Sequence, residues 1–215
     1  MANISTWTGV KVFMSDVPAA AVTVSAISKA SEAVVSASST TGLSNGDYVL
    51  INAQGMPQVN GRIFRVKGLV ANTSFVIEGE DSTNYDTFSS GSFQKVSFTN
   101  TLSTLTTVSA SGGEPDKIDT TTIHDSQKSE IPGMASATSY AFDSILDLAD
   151  AGLIAAKKVS DVKAKRAVMI VFTNGQRSVF YGYVFTNLTP GGSTGGMVTT
   201  KLSISAQGAQ TNYAS

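Results

Sequence analysis

The chain has 215 residues, of which 41% are hydrophobic and 14% are charged, and its formal net charge is −1. The charged fraction is well below the roughly 25% of typical soluble domains, and no basic stripe is present that would bind nucleic-acid phosphates tightly. The chain contains no cysteine, which excludes a disulfide framework, thiol catalysis and cysteine-ligated zinc.

The N-terminal segment predicts two strands. Residues 6–14 carry bulky β-favouring side chains, and residues 22–27 alternate strictly between two faces. The first residues of the chain are not basic and are not followed by an apolar run. No stretch of the chain is apolar enough to span a membrane. We therefore expect no signal peptide, no membrane anchor, and folding in a cytoplasm.

Strand-like runs recur between residues 30 and 96, at 33–36, 48–51, 62–66 and 74–77. The connections contain two Asn-Gly pairs, Asn45-Gly46 and Asn60-Gly61, which tolerate positive φ in tight turns. This spacing predicts a compact β-barrel or sandwich.

Residues 96–140 are extended and rich in Thr and Ser. Gly112-Gly113, Pro115 and Pro132 argue against a helix there. The run at residues 119–126 is polar, prone to β structure, and has little to bury. It predicts a protruding hairpin or arm.

One short helix is predicted over residues 143–151, with Asp143 as its N-cap and Gly152 at its end. Four apolar residues share one face of that helix: Phe142, Ile145, Leu146 and Ala149. Residues 153–158 extend it by a further turn in this interpretation.

The C-terminal part has the clearest β pattern. Residues 167–172 form a continuous apolar strand that we expect to be covered on both faces, and Asn174-Gly175 turns it into a returning strand at 177–185. A glycine-rich connection at 191–196 leads to a last strand at 198–206. That strand alternates between apolar and polar residues, so one face of its sheet should meet solvent.

No catalytic residue is predicted. His124 is the only histidine, and its neighbours Asp125 and Ser126 point to alternate sides in an extended chain, whereas a catalytic triad needs convergent geometry. The loop at 191–196 lacks the Gly-Lys-Ser/Thr ending of a phosphate-binding loop. The chain is therefore not expected to be an enzyme.

No metal or cofactor is predicted either. Four acidic residues fit no calcium-loop spacing and predict a solvated turn: Glu78, Glu80, Asp81 and Asp86. The densest basic cluster follows the helical segment, where cations suit a helix C-terminus: Lys157, Lys158, Lys163, Lys165 and Arg166. Four aromatic residues, which can stack on bases or sugars, are more simply explained by sheet packing: Phe180, Tyr181, Tyr183 and Phe185.

The C-terminal hairpin 167–185 and the strand 197–206 resemble the major tail tube proteins of long, non-contractile-tailed bacteriophages. The resemblance rests on three successive features: an apolar strand, the Asn174-Gly175 turn, and a strand with the aromatic-Gly-aromatic sequence Tyr181-Gly182-Tyr183. The helical segment and the polar run 119–133 stand where that family has a helix and a long loop.

Residues 30–96 resemble a small β-module of phage tail proteins, similar to the half-domain beside the catalytic cysteine of ubiquitin-activating enzymes. The matching stretches are 42–49, 55–56, 59–62 and 81–83. Without a cysteine, no ubiquitin chemistry carries over. The resemblance implies a discontinuous tail tube domain, 1–29 and 97–215, with residues 30–96 as an inserted module that follows the second tube strand and decorates the tube.

The resemblance also implies a mainly β fold: a tail-tube β-sandwich with one short helix, forming a ring-wide β-barrel, plus a small inserted β-barrel-like module. Six subunits would form a ring, and stacked rings would form a tube through which double-stranded DNA passes without specific binding. Other implied partners are the tape-measure, tail-tip and tail-terminator proteins. The expected location is the virion tail, with assembly in the host cytoplasm.

Two sets of residues are candidates for these roles. The inter-ring loop candidates are Asp119, Thr120, Thr121, Thr122, Ile123, His124 and Asp125. The lumen candidates are on the polar face of the last strand: Thr199, Lys201, Ser203 and Ser205. Lys201 counts against a lining that must not grip phosphates.

Two other functions stay open at this point. A carbohydrate-binding or adhesin module would show an exposed aromatic platform and bind glycans as a monomer. A tube protein of a contractile tail or secretion system would need a sheath partner.

Overall fold

The computed structural model describes residues 4–214. The chain is mainly β, with one helix, and its strands form a large curled sheet, a closed six-stranded barrel and a separate two-stranded hairpin. The predicted fold class is confirmed. Residues 1–3 of the predicted tube domain, and residue 215, lie outside the described residues.

The barrel is antiparallel throughout, in the order β2-β3-β6-β5-β4-β7. Its strands are β2 (Val22–Ile27), β3 (Val34–Ala37), β4 (Tyr48–Gln54), β5 (Arg62–Val70), β6 (Ser74–Ile77) and β7 (Ser90–Val96). Phe64 and Phe75 are fully buried in its interior. The sequence placed β2 in the tube domain, but β2 pairs with β3 and β7 and completes the barrel.

The large sheet runs β8-β1-β13-β14-β15-β12-β9, and β16 pairs with β14 beyond the end of β15. These strands are β1 (Lys11–Ser15), β8 (Phe98–Thr101), β9 (Leu105–Ser111), β12 (Ser139–Ile145), β13 (Lys165–Val171), β14 (Arg177–Phe185), β15 (Thr199–Ala206) and β16 (Thr211–Tyr213). The Asn174-Gly175 turn between β13 and β14 is as predicted, with φ of 87° at Gly175.

The large sheet curls around its own core. Phe142 on β12, Phe180 on β14 and Ile204 on β15 share this buried cluster with Val12 and Met14 of β1, near the opposite edge of the sheet. Directly opposed residues of antiparallel strands point to the same face, so alternate residues of each strand line the core. The sheet therefore packs on itself as a sandwich, and its other face points outward.

The predicted helix position is wrong. Residues 139–145 form β12, which is hydrogen-bonded to β9 on one side and β15 on the other. Helix α1 spans Ala151–Asp161, with Asp150 as its N-cap. Gly152, predicted to end a helix, lies in the first turn of α1, where an added Cβ would stand 2.1 Å from the Thr101 carbonyl oxygen. A glycine is needed there because the helix starts against that backbone.

Candidate assembly surfaces

The titratable residues that could suggest an active site are either exposed and isolated or held in ion pairs. His124 is exposed, and the carboxylates of Glu78 and Glu80 are paired with Arg65 and Arg62, respectively. Over residues 4–214, no three His, Asp or Glu side chains lie together as a metal ion would require. In the same residues, no helix is long and apolar enough to cross a membrane.

The first surface is an arm, residues 112–137, built on β10 (Pro115–Asp119) and β11 (Glu130–Ala135). It continues the β9–β12 hairpin beyond Gly112 and Gly113, whose φ values of 80° and 86° turn it away from the sheet. Every residue of the arm except Gly133 is exposed. The predicted protruding hairpin is confirmed.

The tip of the arm holds the predicted inter-ring residues Asp119–Asp125. Thr122 N–H donates to Asp125 at 2.7 Å, and Thr121 N–H donates to Asp119 at 2.8 Å. Hydrogen bonds from these threonines lower the pKa of both carboxyls. Ile123 is 96% exposed between them. The tip is thus an ordered turn that presents one apolar side chain to solvent.

The second surface is the outward face of β15. Thr199, Lys201, Ser203 and Ser205 alternate there with buried residues, as the sequence predicted. The outward residues opposite them on β12 and β9 are small or hydroxylic, apart from Asp143, which lies directly opposite Lys201, and Ile145, which lies opposite Thr199. The outward face of these three strands therefore presents one cation and one anion among side chains that are mostly those of Ser and Thr. The position of Asp143 opposite Lys201 could not be predicted from the sequence, because the local pattern favours a helix that starts at Asp143.

The third feature is a pair of open sheet edges. Within the part of the chain that the structure describes, β9 pairs only with β12, and β8 pairs only with β1. β9 has four Ser or Thr residues among its seven and lacks the Lys or Pro that commonly protects an exposed edge. Such an edge favours pairing with another strand.

A fourth surface, which the sequence did not indicate, is buried between the barrel and the sheet. Leu50 and Ile63 of the barrel share an apolar cluster with Met169, Val179 and Tyr213 of the sheet. This cluster covers the part of the outward face near β13 and β14. The barrel is therefore packed on the sheet rather than tethered to it.

Tyr213 also makes polar contacts across this junction. Its hydroxyl accepts a 2.7 Å hydrogen bond from the backbone N–H of Arg65 on β5, and the Arg65 guanidinium lies 4.7 Å from the centre of its ring. Burial raises the pKa of the Tyr213 hydroxyl well above its usual value. Tyr213, the last residue of β16, thus acts as a clasp that fastens the sheet to the barrel.

A fifth surface is a pair of loops, residues 146–150 and 191–198, at the end of the sheet farthest from the arm. Leu146 N–H donates to the Val198 carbonyl at 2.9 Å and joins the two loops. Leu148 and Met197 are each 69% exposed, and Val198 is 52% exposed. The Met-Val pair after the glycine-rich run was the only sequence signal for this apolar surface.

Comparison with known proteins points to one family. Residues 54–215, from the end of β4 onward, match the family described as phage tail tube protein, TTP. No curated protein matches the chain. A solved chain from "Tail of empty GTA particle computed with helical refinement, C6 symmetry" is 16% identical, covers 54% of this chain and 86% of its own length, and has a TM-score of 0.42. That likeness is too weak to bear on this chain's assembly.

Proposed function

This chain belongs to the phage tail tube protein family, and from that membership we propose that it is the structural subunit of a long, non-contractile tail tube. Six copies form a ring, and stacked rings enclose a lumen that conducts double-stranded DNA during ejection. The family match over residues 54–215 is the observation that carries this proposal. The protein works in the virion tail and assembles in the host cytoplasm.

Ring formation is supported by the open edges of the sheet. Pairing of the β9 edge with a strand of a neighbouring copy satisfies its free N–H and C=O groups. Repeated around six subunits, such pairing closes the separate sheets into one barrel that has no edge left. The large sheet is then the element that joins the subunits of a ring.

A lumen-facing role for the outward face of β15 is supported by its charge. Phosphate contacts from Lys and Arg dominate non-specific DNA affinity. Lys201 has Asp143 directly opposite, and Ser203 and Ser205 carry no charge. A lining of this kind lets DNA slide because it offers no net positive charge to the phosphates.

The barrel, in this proposal, is a module inserted in the tube domain that decorates the tube. We assign residues 22–96 to the module instead of residues 30–96, because β2 is one of the six strands of the closed barrel. Its likeness to the half-domain of ubiquitin-activating enzymes stays a prediction. The remaining partners are the tape-measure, tail-tip and tail-terminator proteins, which start and end the polymer.

Negative-stain electron microscopy of the concentrated protein, alone and with tail-tip components, tests the proposal. Hollow rods or rings with sixfold end views are the expected result. A chain that stays monomeric at every concentration and also stays out of tubes in the presence of tail-tip components would refute it. Glycan binding by that monomer would then favour an adhesin, since Phe185 is 48% exposed beside Tyr183.

A further inference from the structure

The chain contains three Asn-Gly pairs, each at a tight turn: Asn45-Gly46, Asn60-Gly61 and Asn174-Gly175. A glycine after an asparagine leaves the asparagine side chain least hindered toward deamidation. In that reaction the glycine backbone nitrogen attacks the asparagine Cγ, the carboxamide C–N bond breaks, and the amide group leaves as ammonia with the proton of the glycine N–H. Water then opens the succinimide to aspartate or isoaspartate. The three pairs are therefore sites at which this chain can be modified without an enzyme.

The glycine of each pair is required by its backbone conformation. The φ values of Gly46, Gly61 and Gly175 are 90°, 70° and 87°. A residue with a Cβ rarely adopts this left-handed region, and alanine at such a position strains the folded state. Replacement of the glycine would thus remove the chemical hazard only at a cost in stability.

The asparagine of each pair is also held in place. In all three pairs its side-chain Oδ1 accepts a hydrogen bond from a backbone N–H, and the donors, in chain order, are Leu69 at 2.9 Å, Ala53 at 3.1 Å and Gln176 at 3.1 Å. In the barrel these bonds tie Asn45 to β5 and Asn60 to β4. A side chain without an acceptor would leave the donor N–H unsatisfied. The turns therefore need the asparagine as well as the glycine.

The nitrogen that would attack is engaged at every pair. Each glycine N–H donates to a backbone carbonyl oxygen, and the acceptors, in chain order, are Val66 at 2.8 Å, Ile51 at 2.8 Å and Phe172 at 3.0 Å. Attack on Cγ requires the glycine nitrogen to give up this bond and lose its proton. It also requires the asparagine side chain to leave its own donor and turn toward that nitrogen. Two hydrogen bonds must therefore open before the succinimide can form.

We infer that the fold suppresses deamidation at all three Asn-Gly pairs through the same hydrogen bonds that make these residues necessary to the turns. The reaction then proceeds only from locally or globally opened states, and its rate follows the population of those states. The inference concerns the chemical durability of the subunit and is independent of the proposed function. Its failure would leave the tube function intact, and failure of the tube function would leave it intact.

Peptide mass spectrometry tests the inference by measuring deamidation at each pair while the full chain is incubated in mildly alkaline buffer, either folded or unfolded in guanidinium chloride. A Gln127→Asn, Lys128→Gly double variant is the matched control. Both positions are exposed near the tip of the arm, and within residues 4–214 no hydrogen bond engages the N–H of residue 128.

The three native pairs should react at least about tenfold more slowly in the folded chain than in the unfolded chain, whereas the engineered pair should react at similar rates in both. A native pair that reacts in the folded chain as fast as the engineered pair would overturn the inference. If the double variant does not fold, the folded and unfolded native chains still decide the question, since equal rates in the two would overturn it.

Hydrogen exchange gives an independent measurement of the bonds that are held responsible. The amide hydrogens of Gly46, Gly61 and Gly175 should be protected in the folded chain. A glycine amide that exchanges freely beside an asparagine that stays intact would contradict the mechanism, because its hydrogen bond could not then be the cause of the protection.

Substitution of Asn60 tests whether the turn needs the side-chain acceptor. Asn60→Asp keeps an oxygen for the N–H of the buried Ala53, whereas Asn60→Ala removes it. The unfolding midpoint should therefore fall more in Asn60→Ala than in Asn60→Asp. Equal midpoints would contradict the argument that this hydrogen bond holds the Asn60-Gly61 turn closed.

Discussion

The clasp between Tyr213 and the barrel can be tested by removing a single oxygen atom. In a Tyr213→Phe variant the ring still fills the cluster, but the backbone N–H of Arg65 loses its acceptor. Leaving a buried donor unsatisfied costs about 1–3 kcal/mol. For a chain of this size each kcal/mol shifts the melting temperature by about 2–4 °C, so a decrease of roughly 2–12 °C is expected.

The assay is urea and thermal unfolding followed by circular dichroism, with Tyr183→Phe as the matched control. Tyr183 lies on the outward face, and its ring stands 5.0 Å from the Lys165 ammonium. Loss of its hydroxyl should change the free energy of unfolding by less than about 0.5 kcal/mol. Equal stabilities of the two variants would refute the argument that the Tyr213 hydroxyl fastens the barrel to the sheet.

Four further outcomes follow from the structure. Burial raises the pKa of Tyr213 in the folded state. Its contribution to stability is therefore complete below the ordinary tyrosine pKa of about 10 and is lost progressively as the pH rises above that value. Urea titrations at pH 10–12 should show that Tyr213→Phe reduces this alkaline loss of stability by up to about 1.4 kcal/mol per pH unit. Gly152→Ala should destabilise the fold by about 1–3 kcal/mol, since its Cβ would clash with the Thr101 carbonyl, whereas Gly191→Ala, with no atom nearer than 3.7 Å, should not. Deletion of residues 119–133 should leave a folded monomer that cannot stack, and tubes of normal length in electron micrographs would contradict this. A Ser203→Lys, Ser205→Lys double variant should form tubes that retain DNA in a salt-dependent manner, unlike an Ala71→Lys variant of the exposed barrel.

The strands were largely predictable because their signals are local. The Asn174-Gly175 turn fixes the β13–β14 hairpin by its need for positive φ, and the alternation in β15 survives in the structure as one buried and one outward face. The protruding arm was predictable for a similar reason, since a polar run flanked by glycines and prolines has nothing to bury. The exposed apolar patch of Leu148, Met197 and Val198, by contrast, comes from two loops that are distant in sequence.

The helix was misplaced because two patterns overlap between residues 139 and 152. Phe142, Ile145 and Leu146 fit a helical face, but Phe142 also fits a strand face that packs between β9 and β15. β12 is hydrogen-bonded to β9 on one side and to β15 on the other. This pairing within the sheet prevails over the local helical periodicity. The glycine at 152 was equally ambiguous, since close approach to Thr101 is invisible in one sequence.

The shared cluster beneath the barrel determines how the protein can be re-engineered. Excision of residues 22–96 would expose Met169 and Val179 on the sheet. The result would be a subunit prone to aggregation rather than a simpler tube protein. Foreign sequences for display are better grafted into the β5–β6 turn, where Ala71 and Asn72 are exposed and Asn72 has a φ of 54°. A cargo placed there would extend from the module while the clasp and the sheet beneath it stay intact.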